Sequence, residues 1–211
     1  MPRALFRWGK SYLHAFRRII LVLGITSLGY VGYALLDAQL FQAYENRRFD
    51  NAVKYQSTIE AKQEKFLVTS PSKIEAPPLQ VEEGSILGRV KIDRLGISII
   101  ILEGTDAKTL RRGVGHIEGT ALPGVHGNVG LAGHRDTFFR PLRNIREGDQ
   151  ISLITVNGSY QYRVDSLTLV EPDDVAMLKD MGGSTLTLVT CYPFDYIGPA
   201  PRRFIVHANR I

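Results

Sequence analysis

TLTLVTCYP, residues 185–193, alternates with the period of a β-strand: Leu186, Leu188 and Thr190 share one face, and Thr185, Thr187, Val189 and Cys191 share the other. Pro193 has no amide hydrogen to give to a ladder, so regular pairing stops there and Cys191 falls at the strand end, beside a loop and off the more apolar face. Cys191 is the only cysteine of the chain, which excludes an intramolecular disulfide and a cysteine-rich zinc site. A lone cysteine taken by itself reads as a small buried apolar residue. A strand-end thiol next to a loop reads instead as one that a substrate reaches.

The same texture of short β-rich runs broken by glycine extends on either side, from about residue 84 to the end. Strands are expected at residues 86–92, 97–102, 128–133, 150–156, 160–170, 185–190 and 203–210, with Asn157-Gly158 as a hairpin turn. Short helical insertions are expected at residues 106–112, with Thr105 or Asp106 as cap, and near 139–145 and 174–179. The fold class is therefore mostly β, with short helices, and not an alternating βαβ plan.

Two further side chains share the position of Cys191. In NVGLAGH, residues 128–134, Val129 and Leu131 point one way while Asn128, Ala132 and His134 point the other, so His134 also ends its strand off the apolar face. In the last strand Phe204, Val206 and Ala208 make the apolar face, leaving Arg203, Ile205 and His207 opposite; Arg202, if extended, would project with the apolar set, where a guanidinium needs a partner. Thiolate, imidazole and guanidinium are the ingredients of acyl transfer: nucleophile, proton carrier and oxyanion donor. Thr190, next to the cysteine, is a candidate for one further hydrogen bond. Asp136 reads more naturally as a helix cap than as a carboxylate orienting His134. Of the other histidines, His116 lies in a glycine-rich turn with a structural role favoured over groove lining, and His126 is expected on the surface.

GTALPG (119–124), GNVGLAGHRDTFFRPL (127–142), TLVTCYPF (187–194) and RRFIVHA (202–208) together resemble the sortase family, in the order His, Cys, Arg and across nearly all of residues 84–211. The unbroken TCYPF is most similar to class D sortases. The resemblance implies a closed β-barrel of about eight strands and cleavage of an LPXTG-like sorting signal through a thioester on Cys191, with His134 carrying protons and Arg203 stabilising the oxyanion. It further implies two partners, a sorting-signal peptide of a secreted protein and an amine acceptor such as a cell-wall peptide or a pilin lysine. No cofactor and no metal are required. The alternative is a membrane-tethered barrel that binds sorting peptides or pilin segments without turning them over; a hydrolase that uses water in place of the amine is a second.

The 211-residue chain carries a net charge of +5, but the location of the charge points away from nucleic acid. Arg3, Arg7, Lys10, Arg17 and Arg18 precede the first acidic residue, Asp37, and residues 19–36 (IILVLGITSLGYVGYALL) are uncharged. As a helix that run spans about 27 Å at ~1.5 Å per residue, enough to cross a bilayer, and the basic flank favours a cytoplasmic N-terminus. A cleaved signal is the rival, although no small-x-small site follows. The expected organisation is a basic cytoplasmic tail (1–18), a transmembrane anchor in contact with membrane lipid (19–36), a helical stalk and proline-containing linker (37–83), and an extracytoplasmic catalytic domain (84–211).

Overall fold

All seven expected strands form, and an eighth short one joins them, in the computed structural model, which describes residues 5–64, 81–179 and 182–211. In chain order the elements are α1 (Leu5–Glu64), β1 (Ile86–Ile92), β2 (Ile97–Glu103), α2 (Ala107–Arg112), β3 (Val114–His116), β4 (Asn128–Ala132), β5 (Gln150–Thr155), β6 (Gly158–Val170), β7 (Thr185–Tyr192) and β8 (Arg202–Arg210). The strands close into a barrel in the order β1-β2-β3-β4-β7-β8-β6-β5, with β5 pairing back onto β1. Two of the pairings, β2 with β3 and β4 with β7, are parallel; the others are antiparallel.

Alternation decides what lies inside. Val90 and Ile92, Ile99 and Ile101, Val129 and Leu131, Leu186 and Leu188, and Val206 and Ala208 all point into one cluster, and Phe139 and Leu142 from the β4–β5 connection plug it. That connection and the β6–β7 connection contain single 3₁₀ turns, Arg140–Asn144 and Ala176–Leu178, where helical insertions were expected. Asp106 caps α2 by accepting from the amides of Lys108 and Thr109, as its spacing predicts, and these bonds hold its carboxyl below the usual range. Asp136 caps nothing: the turn at Arg140 starts from Phe139 without a side-chain cap, and Asp136 is exposed. The hairpin is also displaced by one residue, since Thr155 pairs with Gly158 and the two-residue loop is Val156-Asn157. Gly158, with φ +148, opens the returning strand.

The outer face of β1 and β2 is covered by α1. From Phe41 onward the helix belongs to the same compact unit as the barrel, and its earlier part, through Leu40, forms a unit of its own. Phe41, Phe49 and Val53 pack on Ile100, Leu102 and Ile154, the outward-facing apolar residues that alternation leaves on the barrel's outside. Gln42 serves as a surrogate strand: Ile100 N–H, just before the pairing of β2 with β3 begins at Ile101, donates to Gln42 Oε1 (3.1 Å), and Gln42 Nε2 donates to the Arg112 carbonyl (2.7 Å). Arg89 of β1 reaches across to Asp50 (2.8 Å) and the Asn46 carbonyl, its guanidinium 5.2 Å from the centre of the Phe49 ring. In the earlier part, none of the apolar window of α1 is buried in protein, and that window is long enough to cross a membrane. The expected proline-containing spacer at residues 70–78 lies outside the described residues.

A chain beginning at Val81 would expose Ile100 and Leu102 and leave the Ile100 amide to water. Burying a side chain of that size is worth about 1.5–3 kcal/mol, so the two together are a large fraction of a typical domain stability of roughly 5–15 kcal/mol. We therefore expect residues 81–211 to be far less stable to urea than residues 37–211, and Gln42→Ala in the longer chain to reproduce a minor share of the loss. Equal midpoints for the two lengths would show that α1 contributes nothing to the barrel.

Candidate active site

Three consecutive strands of the barrel, β4, β7 and β8, bring the sequence-predicted residues to one strand end. In the antiparallel β7–β8 ladder Cys191 is the direct partner of Arg203, and Tyr192 is the partner of Arg202. Direct partners in such a ladder have Cα atoms about 4.5–5.5 Å apart with side chains on the same side. On the other flank the parallel β4–β7 register runs to Ala132 opposite Val189, and Gly133 N–H adds one more rung by donating to the Val189 carbonyl (3.1 Å). His134 and Cys191 each follow by two residues the last pair of that ladder, Ala132 and Val189. Cys191 and Arg203 lie on the outward face, opposite Leu188 and Val206 of the core.

Local packing fixes His134 at that strand end. A Cβ on Gly133 would lie 2.7 Å from the fully buried Phe139 ring, so only glycine lets the chain pass this close before turning. The His134 carbonyl then accepts from Phe139 N–H (3.0 Å), folding the chain back over the plug. Thr190 Oγ1 donates to the Gly133 carbonyl (2.6 Å), tying the end of β7 to the residue before His134. Thr190 is 3 % exposed and faces inward with Leu186 and Leu188, so it braces the strand ends and does not meet substrate.

Cys191 is a free thiol of intermediate exposure. Arg203 is partly buried, and its Nη1 donates only long bonds, 3.4 Å to the Ala200 carbonyl and 3.3 Å to that of Arg202, which leaves the guanidinium fork weakly committed. Arg202 is exposed and sits 3.7 Å from Glu171, a surface pair. Behind the three residues the same outer face continues as Ala132, Val189 and Ile205 and ends in a polar layer: Thr187 Oγ1 donates to Asn128 Oδ1 (2.9 Å), and Asn128 Nδ2 donates to the Met177 carbonyl (3.0 Å). That layer pins the β6–β7 connection against the strands. Ile205 and His207, expected simply to avoid the core, are buried as well, with His207 3.7 Å from Asp165.

His116 does not line this face. It is 2 % exposed in β3, directly opposite Glu103 of β2, and its Nδ1 lies 2.9 Å from Glu103 Oε2. Nε2 donates to the Ala121 carbonyl (3.0 Å) and approaches Thr120 Oγ1, whose own hydrogen goes to the Ile117 carbonyl and which accepts from Gly130 N–H. One proton thus lies between Nδ1 and Oε2, and the pair clamps residues 117–121 over the outer side of β4. Sequence reasoning identified a turn role but not its buried partner; Glu103 is the acidic end of an otherwise apolar run, ISIIILE (residues 97–103), which was the available signal. His126 is exposed, as expected.

A family model described as the sortase domain matches residues 90–211. The chain is 31% identical over 196 residues to sortase D of Bacillus subtilis (strain 168), covering 91% of this chain and 96% of that one. Among solved structures, sortase C from Clostridium perfringens SM101 superposes with a TM-score of 0.59 at 28% identity, covering 80% of this chain and 97% of that one. The Clostridium perfringens sortase D5 transpeptidase superposes at 0.63 with 24% identity, covering 83% and 98%, and that likeness concerns the fold.

Removing one partner of a buried hydrogen-bonded pair leaves the other unsatisfied and costs about 1–3 kcal/mol. We expect His116→Ala and Glu103→Ala each to lower unfolding free energy by about that amount, and the double variant to lose clearly less than the sum, as read from urea unfolding in a double-mutant cycle. Strict additivity would mean that the two side chains do not act as a pair.

Proposed function

The chain belongs to the sortase family and is therefore a cysteine transpeptidase, and we propose that it is a membrane-anchored one that cuts an LPXTG-like C-terminal sorting signal and passes the acyl group to an amine. Cys191 as thiolate attacks the carbonyl carbon following the signal's threonine. The oxyanion accepts hydrogen bonds from the Arg203 guanidinium; as the C–N bond breaks, the His134 imidazolium gives its proton to the departing amine and a thioester remains. His134 then takes a proton from the incoming amine, which attacks the thioester, and the thiolate leaves again. What supports these roles is register: Cys191 lies between Arg203, its direct ladder partner, and His134, one step beyond the last rung of the parallel pairing, all at one strand end. Arg203 is preferred over Arg202 because Arg202 pairs with Tyr192 on the alternate face and is engaged by Glu171.

The substrate would lie along the outward face beyond Cys191, where the partly exposed Ala132 and Val189 give an apolar floor between the segment held by His116 and the connection held by Asn128. The amine acceptor is a cell-wall peptide or a pilin lysine. Residues 19–36, within α1, serve as a single-pass anchor behind a cytoplasmic basic tail. Residues 37–83 form the helical stalk and linker, and residues 84–211 form the extracytoplasmic catalytic domain; the packing of α1 from Phe41 makes the stalk a support of that domain as well.

Incubating the intact chain with an LPXTG-type peptide should leave a thioester on Cys191 visible by mass spectrometry, and Cys191→Ala should lose both cleavage and transfer without unfolding; substantial turnover by that variant would remove the covalent mechanism. Losing an oxyanion donor costs about 10²–10³-fold in the chemical step. Arg203→Ala should slow acylation by about that factor, and Arg202→Ala by less than about tenfold; the opposite order would transfer the role to Arg202. A reporter joined after Leu36 should lie outside the cytoplasm while the chain stays in the membrane fraction, and a soluble product starting near Ala38 would instead identify a cleaved signal.

A further inference from the structure

The segment joining Cys191's strand to Arg203's strand is a hairpin loop, residues 193–201, since the β7–β8 ladder ends at the pair Tyr192 and Arg202. Its sequence, PFDYIGPAP, holds three prolines and a glycine, and residues 195–199 are exposed, Ile197 to 97 %. Phe194 at the start of the loop packs edge-on against Tyr192 and Phe204, but proline lacks a donor and the tip lacks cover, so beyond Phe194 the loop has little of its own to hold it; within it, Tyr196 N–H makes a long bond of 3.4 Å to the Pro193 carbonyl. The anchors come from elsewhere. Arg135, the residue after His134, donates through Nη2 to two loop carbonyls, Tyr196 at 2.7 Å and Gly198 at 3.0 Å, and its guanidinium lies 5.8 Å from the centre of the Tyr196 ring. Farther along the same connection, Arg143 Nη2 bonds Asp195 Oδ1 (2.6 Å), with its guanidinium 5.7 Å from the centre of the Phe194 ring.

Arg135 is thus covalently next to the proposed acid and base, and its side chain grips the loop whose two ends lead into the proposed nucleophile and oxyanion donor. Strand pairing locks the three residues together from below, and Arg135 closes the ring from above. Arg203 itself touches this loop, at the Ala200 carbonyl. From this closed circuit we infer that Arg135 is a positioning residue of the transpeptidase: by holding the Tyr196 and Gly198 carbonyls it sets the aim of His134 relative to Cys191 and Arg203. The inference rests on the roles proposed for those three residues. Both bonds leave the one nitrogen Nη2 while the planar guanidinium also lies by the Tyr196 ring, and it is this combination of plane and reach that a lysine ammonium does not reproduce.

A misplacement of about 1 Å at reacting groups costs up to about 10²-fold in rate. In the full chain, Arg135→Gln is expected to lower the single-turnover acylation rate with an LPXTG-type peptide by about 10–10²-fold while the peptide KM stays within about threefold, because the apolar floor of Ala132 and Val189 is untouched. Alkylation of Cys191 by iodoacetamide, which needs the thiolate but no peptide, should slow in parallel, and Arg135→Lys should recover little. Acylation within about threefold of the parent, a loss confined to KM, or a loss that vanishes once rates are scaled to the folded fraction would each overturn the inference. Should Arg135→Gln not fold, Arg135→Lys decides by the same readouts. Cys191→Ala, run alongside, separates the two levels: turnover retained there sinks the roles of the site, whereas strict dependence on Cys191 with a parent-like Arg135→Gln sinks only the part given to Arg135.

Discussion

The parallel pairing of β4 with β7 joins strands that are distant in sequence, and the neighbourhood of His134 and Cys191 depends on its register. A strand has a side-chain period of two, so a slip of one residue would move Cys191 to the inner face and send Leu186 and Leu188 outward. Barrel closure makes that slip prohibitive. Val129, Leu131, Leu186, Leu188 and Val206 are all 0 % exposed, and at about 1.5–3 kcal/mol for each side chain exposing them together would cost as much as a typical domain stability of roughly 5–15 kcal/mol. The apolar alternation that builds the core therefore also sets which residues meet outside it.

The outer face is not left bare, and its coverings differ with what they must achieve. Over β1 and β2 the cover is a helix with an apolar stripe, which stabilises but needs no opening. Near β4 and β7 the covers are short connections held by directional polar contacts: Asn128 and Thr187 on the Met177 carbonyl, His116 on Ala121, Arg135 on Tyr196 and Gly198. Hydrogen bonds to main-chain carbonyls hold a loop in one place without filling the space beside it. Under the proposed function, a peptide entering along the strands would require walls of that second kind.

Most of the barrel was legible because alternation and strand identity coincide in it; seven strands and the outward parity of His134, Cys191 and Arg203 follow from side-chain period alone. The short strand β3 was not, since Val114-Gly115-His116 offers three residues, one of them glycine, and its strand character comes from pairing with Glu103 and Leu131 on either side. The hairpin shifted by one residue because Gly158 opens β6 instead of completing the turn. Asp136 failed as a cap because Phe139 is drawn into the core plug, which moves the helical turn onward to Arg140. The packing of α1 did leave a trace: Phe41, Glu45, Phe49 and Val53 recur every four residues along one side of the helix, the spacing of a buried face interrupted by an acid, and Phe49 and Glu45 are both buried. The grip of Arg135 left none, because a guanidinium that binds main-chain carbonyls has no complementary side chain in the sequence to betray it.

That asymmetry has a physical consequence for how such a site divides its work. The groups proposed to react sit at strand ends, where a closed ladder fixes Cα positions and leaves side chains only their rotamers to set. Arg203 shows what remains to be set: its bonds of 3.3 and 3.4 Å are too long to fix the fork. His134 is one residue beyond its last rung and is held by Gly133, Thr190 and Phe139 from the core side alone. Under the proposed roles, register would bring the three groups to one strand end, and the loop contacts would set how well they converge. Competence would then belong to the barrel, and efficiency to the connections that sequence periodicity does not encode.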